Sequence, residues 1–216
     1  IDPPFRLASR GFARHRAGAP RYAALGFRAL IDPAERAERA IAGACDVAID
    51  LPREALPALA ERPDMAVERA VTPRVHLLQV NAALPQFADP RVRRALHMAI
   101  DRRTLAAVAV GDPALAAPQY FSPAVPLWHD PDLETDPFDP AAANGLLDAL
   151  GWRRGADGVR CREGVRLEAT IHAFRRRPEL SAMATRIARQ LGEIGLAAEV
   201  RIADWPEIEA LRMAGG

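Results

Sequence analysis

The sequence contains no lysine, so every cation of a basic side chain is a guanidinium. With 29 basic against 28 acidic residues and a net charge of +1, it also lacks the positive excess that an extended phosphate-binding surface needs. Nucleic acid is therefore not expected as a partner. Cysteine is scarce: Cys45 and Cys161 stand far apart, outside any CxxC pair, too few for a disulfide scaffold or a Cys-based zinc site. Each reads as a small apolar residue. No apolar run approaches the ~20 residues needed to cross a bilayer. The opening Ile1-Asp2-Pro3-Pro4 lacks the charged-then-apolar pattern of a signal segment, so the chain as given is expected to be soluble.

Signatures of catalysis are missing as well. There is no GxGxxG following a strand and no GxxxxGK[ST], which argues against a nucleotide enzyme. Ser9, Ser122 and Ser181 are the only serines, and none sits in a G-x-S-x-G elbow. The histidines are scattered, so His15, His76, His97 and His172 read as packing or surface residues. His129, in Trp128-His129-Asp130-Pro131-Asp132, has the donors for a metal but reads as a polar loop tip. No enzyme activity, cofactor or metal is expected.

What is present suits a globular α/β domain. The chain has 216 residues, half of them apolar (50%) and 26% charged, enough for a proper core. Periodicity alternates strands and helices without internal repeats. Three helices are announced by Asp-Pro, at Asp32-Pro33, Asp89-Pro90 and Asp139-Pro140, where Asp caps free N–H groups and Pro needs none. Glu35 completes a capping-box-like start. Strands are predicted over 5–8, 25–31, 47–49 and 75–80, and helices over 34–42, 53–61 and 91–110, the last interrupted at Asp101. Residues 111–139, rich in proline, read as a long wrapped loop. A helix over 141–150 and a turn-rich hairpin over 155–164 follow.

The most legible unit is a strand-helix-strand crossover. Leu167, Ala169, Ile171 and Ala173 alternate with polar residues up to Phe174. Leu180, Met183, Ile187, Leu191 and Ile194 then form a helical stripe ending at Gly195, and Ala198, Val200 and Ile202 alternate again. Asp204 and Glu207 open a last helix at Trp205.

In a parallel sheet, ligands gather beyond the carboxyl ends of the strands, where helix N-termini also point. One such junction carries Phe174 followed by Arg175, Arg176 and Arg177, either a carboxylate-binding cluster or a solvated charge run. The other carries Trp205, with Arg212 seven residues on and so on about the same side of its helix. Trp205 reads equally as a ligand contact or as core.

Val80-Asn81, then Phe87-Ala88-Asp89-Pro90-Arg91-Val92-Arg93-Arg94-Ala95-Leu96 and Ala99-Ile100-Asp101-Arg102, strongly resemble the "N…pF.D.RVRqAl..AIDR" signature of family 5 solute-binding proteins. Gly111 with Pro118-Gln119-Tyr120-Phe121-Ser122-Pro123 is similar to the loop that precedes the family's "yDp.kA..lL..aGw" segment. That segment appears as Phe138-Asp139-Pro140, Ala143, Leu146, Leu147 and Gly151-Trp152, with Asn144 and Gly145 as departures, and Asp157-Gly158 fits the hairpin after it. Pro4-Phe5-Arg6-Leu7, the stretch from Ala42 to Ala48, Ile194-Gly195-Leu196 and Asp204-Trp205 also match. The usual "rN.dYw" is reduced to Ala13-Arg14-His15-Arg16, and Cys45 stands where an acidic residue is frequent.

The resemblance implies an α/β fold, a mixed sheet flanked by helices: the second lobe of a type II periplasmic-binding-protein-like molecule. It implies that residues 1–216 form that single lobe, without the N-terminal lobe or the C-terminal return. The implied function is that of the extracytoplasmic, periplasmic substrate-binding component of an ABC importer, closing two lobes over a peptide and docking on a membrane permease. Phe121-Ser122-Pro123-Ala124-Val125-Pro126 also resembles the nickel-chelate branch, and the same fold occurs as the sensor domain of transcription regulators. Near where peptide-binding relatives place ligand contacts stand Phe174, Arg175, Arg176, Arg177, Trp205 and Arg212.

Overall fold

The computed structural model describes residues 6–10, 24–70, 72–175 and 177–213. Pro4-Phe5, Ala13-Arg14-His15-Arg16 and Arg176 lie outside the described residues. The chain divides into two compact units, residues 1–70 and 71–216.

In the first unit, β1 (Arg6–Arg10) pairs antiparallel with β2 (Ala24–Arg28), Ala8 opposite Gly26. Helix α1 (Pro33–Ile41) starts where Asp-Pro predicts: the Asp32 carboxylate accepts from the Ala34 N–H at 2.8 Å. The capping box is not completed, because Glu35 pairs instead with Arg39 one turn on, at 3.0 Å. Gly43, at φ +68°, supplies the left-handed residue that ends the helix. Arg36 ties the unit together, donating to the carbonyls of Leu30, Ile31 and Asp50. A 3-10 turn and α2 (Leu56–Ala60) occupy the helix predicted over 53–61.

Residues 47–49 are not a strand. Val47 and Ile49 are 79% and 74% exposed, and among the described residues no strand pairs with the run. Apolar alternation over three residues is too little to specify a ladder without a neighbour to receive it.

The second unit holds the core. Helices α3 (Pro90–Ala99) and α4 (Arg102–Ala109) are separated by Ile100 and Asp101, both extended. Asp89 caps α3 through the Arg91 N–H at 2.8 Å, and Asp101 caps α4 through the Thr104 N–H at 3.1 Å and through the Thr104 hydroxyl. The helix break at Asp101 therefore lies where the sequence puts it. The predicted strand over 75–80 has no ladder partner among the described residues: Leu77 and Leu78 are exposed, and Val80 alone packs on the core. A continuous apolar run signals burial on both faces only when a sheet is there to supply them.

Residues 111–139 form the expected wrapped loop, interrupted by one short 3-10 turn. Helix α5 (Pro140–Ala149), capped by Asp139 through the Ala142 N–H, stops before Gly151 at φ +84°. The predicted hairpin is a three-stranded antiparallel meander of β3 (Arg153–Arg154), β4 (Arg160–Arg162) and β5 (Val165–Arg166).

The crossover is as read. β6 (Glu168–Phe174) and β7 (Ala197–Ala203) are parallel, joined by α6 (Pro178–Glu193), and α7 (Trp205–Met213) closes the described chain. Among the described residues, pairing of both senses thus occurs in separate small sheets. Leu96 of α3, Leu147 of α5, Ile171 of β6 and Leu191 of α6 meet in a single cluster, so the preceding helices α3 and α5 pack on the crossover.

Arg160 is buried beneath this cluster, yet satisfied. Its guanidinium donates to the Ile194 carbonyl at 2.8 Å, the Trp152 carbonyl at 2.6 Å, Asn144 Oδ1 at 2.9 Å and Asp148 Oδ1 at 2.6 Å. Asn144, a departure from the family pattern, is thus an acceptor for a buried cation, which a helix-favouring residue without an oxygen cannot be. Trp152 is itself buried, with the Arg162 guanidinium 5.5 Å from its ring and its indole N–H unpaired. No helix among the described residues is long and apolar enough to cross a membrane.

Candidate functional site

The register of β6 on β7 sets Phe174 opposite Ala203, so both strands end at one level. The Arg175 N–H extends the ladder by one bond, to the Ala203 carbonyl at 3.0 Å, before the chains turn into α6 and α7. The two strand-to-helix junctions are therefore adjacent, as parallel pairing demands.

Across them, the Phe174 and Trp205 rings meet edge to face, centroids 5.7 Å apart at 72°. Trp205 is 54% exposed, an aromatic at the surface braced by Phe174. Arg175 is exposed beside them. Its Nη2 donates to the Ile202 carbonyl at 3.3 Å, and its Nε lies 3.5 Å from Asp204 Oδ1. An exposed pair of this kind is weak and leaves the guanidinium able to turn to another carboxylate.

The remaining candidates are placed less tightly. Arg177 stands 3.7 Å from Glu179 Oε1 at the start of α6, and its N–H bonds the Phe174 carbonyl. Arg212 does not point to the junction through any bond; it grips Glu209 on its own helix, at 2.6 and 3.2 Å. Arg176 lies outside the described residues. The structure thus brings Phe174, Arg175 and Trp205 together and adds Asp204 to them.

Residue patterns gave no signal for one neighbour, His76. Burial pushes its imidazole below the usual range; Glu179 pulls it up, and Arg177 and Arg74 press it down again. Its Nδ1 is buried without a partner. A lone histidine in an extended run carries no local pattern that reveals such surroundings.

A concavity lies between α4 and the long loop, lined by Asp101, Arg102, Arg103, Thr104, Pro113 and Phe138. Its inner polar groups are already engaged: Asp101 caps α4, and Arg102 donates to the His97 and Asp136 carbonyls. His129 Nδ1 lies 2.9 Å from the Phe121 carbonyl, and among the described residues no three His, Cys, Asp or Glu side chains are grouped to hold a metal. Cys45 and Cys161 are half-buried free thiols.

A lobe built this way recurs in solved structures. NikA from Brucella suis, in complex with Fe(III)-EDTA, superposes with a TM-score of 0.78 at 23% identity, covering 91% of this chain and 40% of that one. The oligopeptide-binding protein AppA from Bacillus subtilis, in complex with a nonapeptide, gives 0.72 at 18% identity, over 97% and 42%. The fold is accordingly that of a type II periplasmic-binding-protein-like lobe.

The sequence agrees and is more specific. Residues 12–215 match the model of the bacterial extracellular solute-binding proteins, family 5 Middle, and the chain belongs to that family. Among curated relatives, the Di/tripeptide-binding protein 2 of Pseudomonas aeruginosa is 29% identical over 121 residues, 56% of this chain and 23% of that protein. The glutathione-binding protein GsiB of Shigella flexneri is 22% identical over 187 residues, 87% and 34%. The chain therefore spans about a quarter to a third of these relatives.

Proposed function

We propose that this chain is one lobe of the extracytoplasmic substrate-binding component of an ABC importer, which captures short peptides and delivers them to a membrane permease. The supporting observation is the Phe174–Trp205 edge-to-face pair, with Arg175 beside it, at the shared carboxyl end of two parallel strands. An exposed aromatic face receives an apolar side chain or peptide plane, and a weakly held guanidinium receives a carboxylate. The relatives named for di/tripeptides and for glutathione, itself a tripeptide, favour this ligand class. On this reading the lobe forms one wall of a cleft whose other wall is a second lobe, and capture is by closure, without a covalent step. Phe174, Arg175, Arg176, Arg177, Trp205 and Arg212 are the proposed contacts.

Calorimetry of the full-length protein with di- and tripeptide pools, and separately with nickel chelates, tests the reading. Peptides are expected to bind, and Arg176→Ala and Trp205→Ala to weaken that binding. Binding of nickel chelates alone would transfer the function to the nickel branch. Unchanged peptide affinity in both variants would remove the site.

A further inference from the structure

Between Arg103 and Arg153 the sequence has no cationic arginine or lysine, although arginine is frequent on either side. Within that stretch, the loop over 111–139 carries Asp112, Asp130, Asp132, Glu134, Asp136 and Asp139. Asp112 and Asp139 are spent as helix caps, and Asp136 is held by Arg94 at 2.7 Å, a partner that keeps its carboxyl below the usual range. The carboxylates of Asp132 and Glu134 are exposed, and among the described residues no cation pairs with them.

The same loop displays aromatic rings on a closed frame. The Gln119 side chain binds both backbone groups of Asp130, donating to its carbonyl at 2.6 Å and accepting from its N–H at 3.1 Å. Residues 119–130 are thereby cinched into a loop. Inside it, Val125 and Trp128 make successive turn bonds, and the buried Ser122 hydroxyl accepts from the Ala124 N–H. On this frame Tyr120 stacks edge-on against Phe121 at 5.0 Å, and Phe121 packs against Trp128 at 5.4 Å. Tyr120 and Trp128 are each 62% exposed and Leu127 is 86% exposed. Exposed apolar side chains grouped in this way, and not scattered singly, mark interaction surfaces.

We infer that the loop over 119–134 is a docking surface for a basic, arginine-bearing segment of a partner protein. Ring faces attract a guanidinium through their quadrupole, and adjoining carboxylates accept its N–H groups in pairs. The absence of any competing cation in the stretch supplies charge complementarity of one sign. A purely apolar occupant would cover the Asp132 and Glu134 carboxylates without offering them partners, and an anionic membrane or nucleic acid would be repelled. The surface shares no residue with the Phe174–Trp205 junction, and the inference does not rest on the peptide-binding reading.

The test uses the full-length protein and an immobilised oligo-arginine peptide amide, read by biolayer interferometry at about 50 mM salt, where surface charges are lightly screened. Binding is expected, and the double variants Tyr120→Ala/Trp128→Ala and Asp132→Asn/Glu134→Gln should each weaken it by about tenfold or more, while Trp128→Phe retains it. The charge-matched control Glu38→Gln/Glu61→Gln should change it less than about twofold. Equal loss in the control, or no measurable binding by the wild-type protein, overturns the proposal. So does hydroxyl-radical footprinting that finds Tyr120 and Trp128 shielded in the full-length protein, since its own chain would then be the occupant.

Discussion

The carbonyl oxygen of Gly195 accepts a hydrogen bond from the Arg160 N–H at 2.8 Å, and a methyl group on Gly195 would stand 2.7 Å from Arg160 Cγ. The glycine that ends α6 therefore also makes room for the stem of the buried arginine. Its φ of +84° is a further reason for the absence of a side chain.

Gly195→Ala is thus expected to strain the backbone and displace Arg160, costing about 2 kcal/mol or more. Gly158→Ala, at φ +81° with open space around it, should cost only the backbone part. Arg160→Ala leaves the Trp152 and Ile194 carbonyls without that donor and should cost about 3 kcal/mol. Urea unfolding of the full-length protein measures all three, and equal losses for the two glycine variants would contradict the contact with Arg160.

Asp89 titrates low. The Arg91 side chain and N–H hold its carboxyl at about 2. A depressed carboxylate stabilises the fold fully above its unfolded value near 3.8, and that contribution disappears as pH falls through about 2. Arg91→Gln should move the Asp89 midpoint, followed by carboxyl-carbon NMR, back towards the unfolded value. An unmoved midpoint would assign the shift to the helix cap alone.

His76 and His97 respond in the same sense, at higher pH. Burial lowers both, against Glu179 at His76 and Asp136 at His97, and with help from Arg177, Arg74 and Arg102. The unfolded chain then takes up protons first, so their contribution falls as pH drops from about 6.5 towards the folded values. The double variant His76→Gln/His97→Gln should lose less stability between about pH 8 and about pH 5.5 than the wild type. Parallel urea midpoints for the two proteins would remove the histidines from the effect.

At the candidate ligand site, Trp205→Ala should raise the Kd for peptide about tenfold, and Phe174→Ala by less, because Phe174 braces the exposed ring. Trp205→Phe should recover most of the loss. A larger effect from Phe174→Ala would mean that the ligand sits on phenylalanine itself.

Most of the fold was legible where the deciding physics is local. Asp-Pro starts, the Asp101 break and the glycines at 43, 151 and 195 need only capping and left-handed backbone, and each falls where the sequence places it. Residues 47–49 and 75–80 failed as strands because a strand is a relation to a neighbour, which the run itself does not contain. The adjacency of Phe174 and Trp205 followed from parallel pairing. The approach of Asp204 to Arg175 and the burial of His76 depend on side-chain packing across elements, which no spacing in one segment encodes.

Among the three tryptophans, Trp152 is 2% exposed beneath Arg162, whereas Trp128 and Trp205 face solvent. In emission spectra the enclosed indole belongs to the blue side and the open pair to the red, and a neutral quencher reaches only the latter. Trp152 thus reports unfolding, Trp205 the candidate ligand junction and Trp128 the acidic loop, so single-tryptophan variants separate the three events without an added dye.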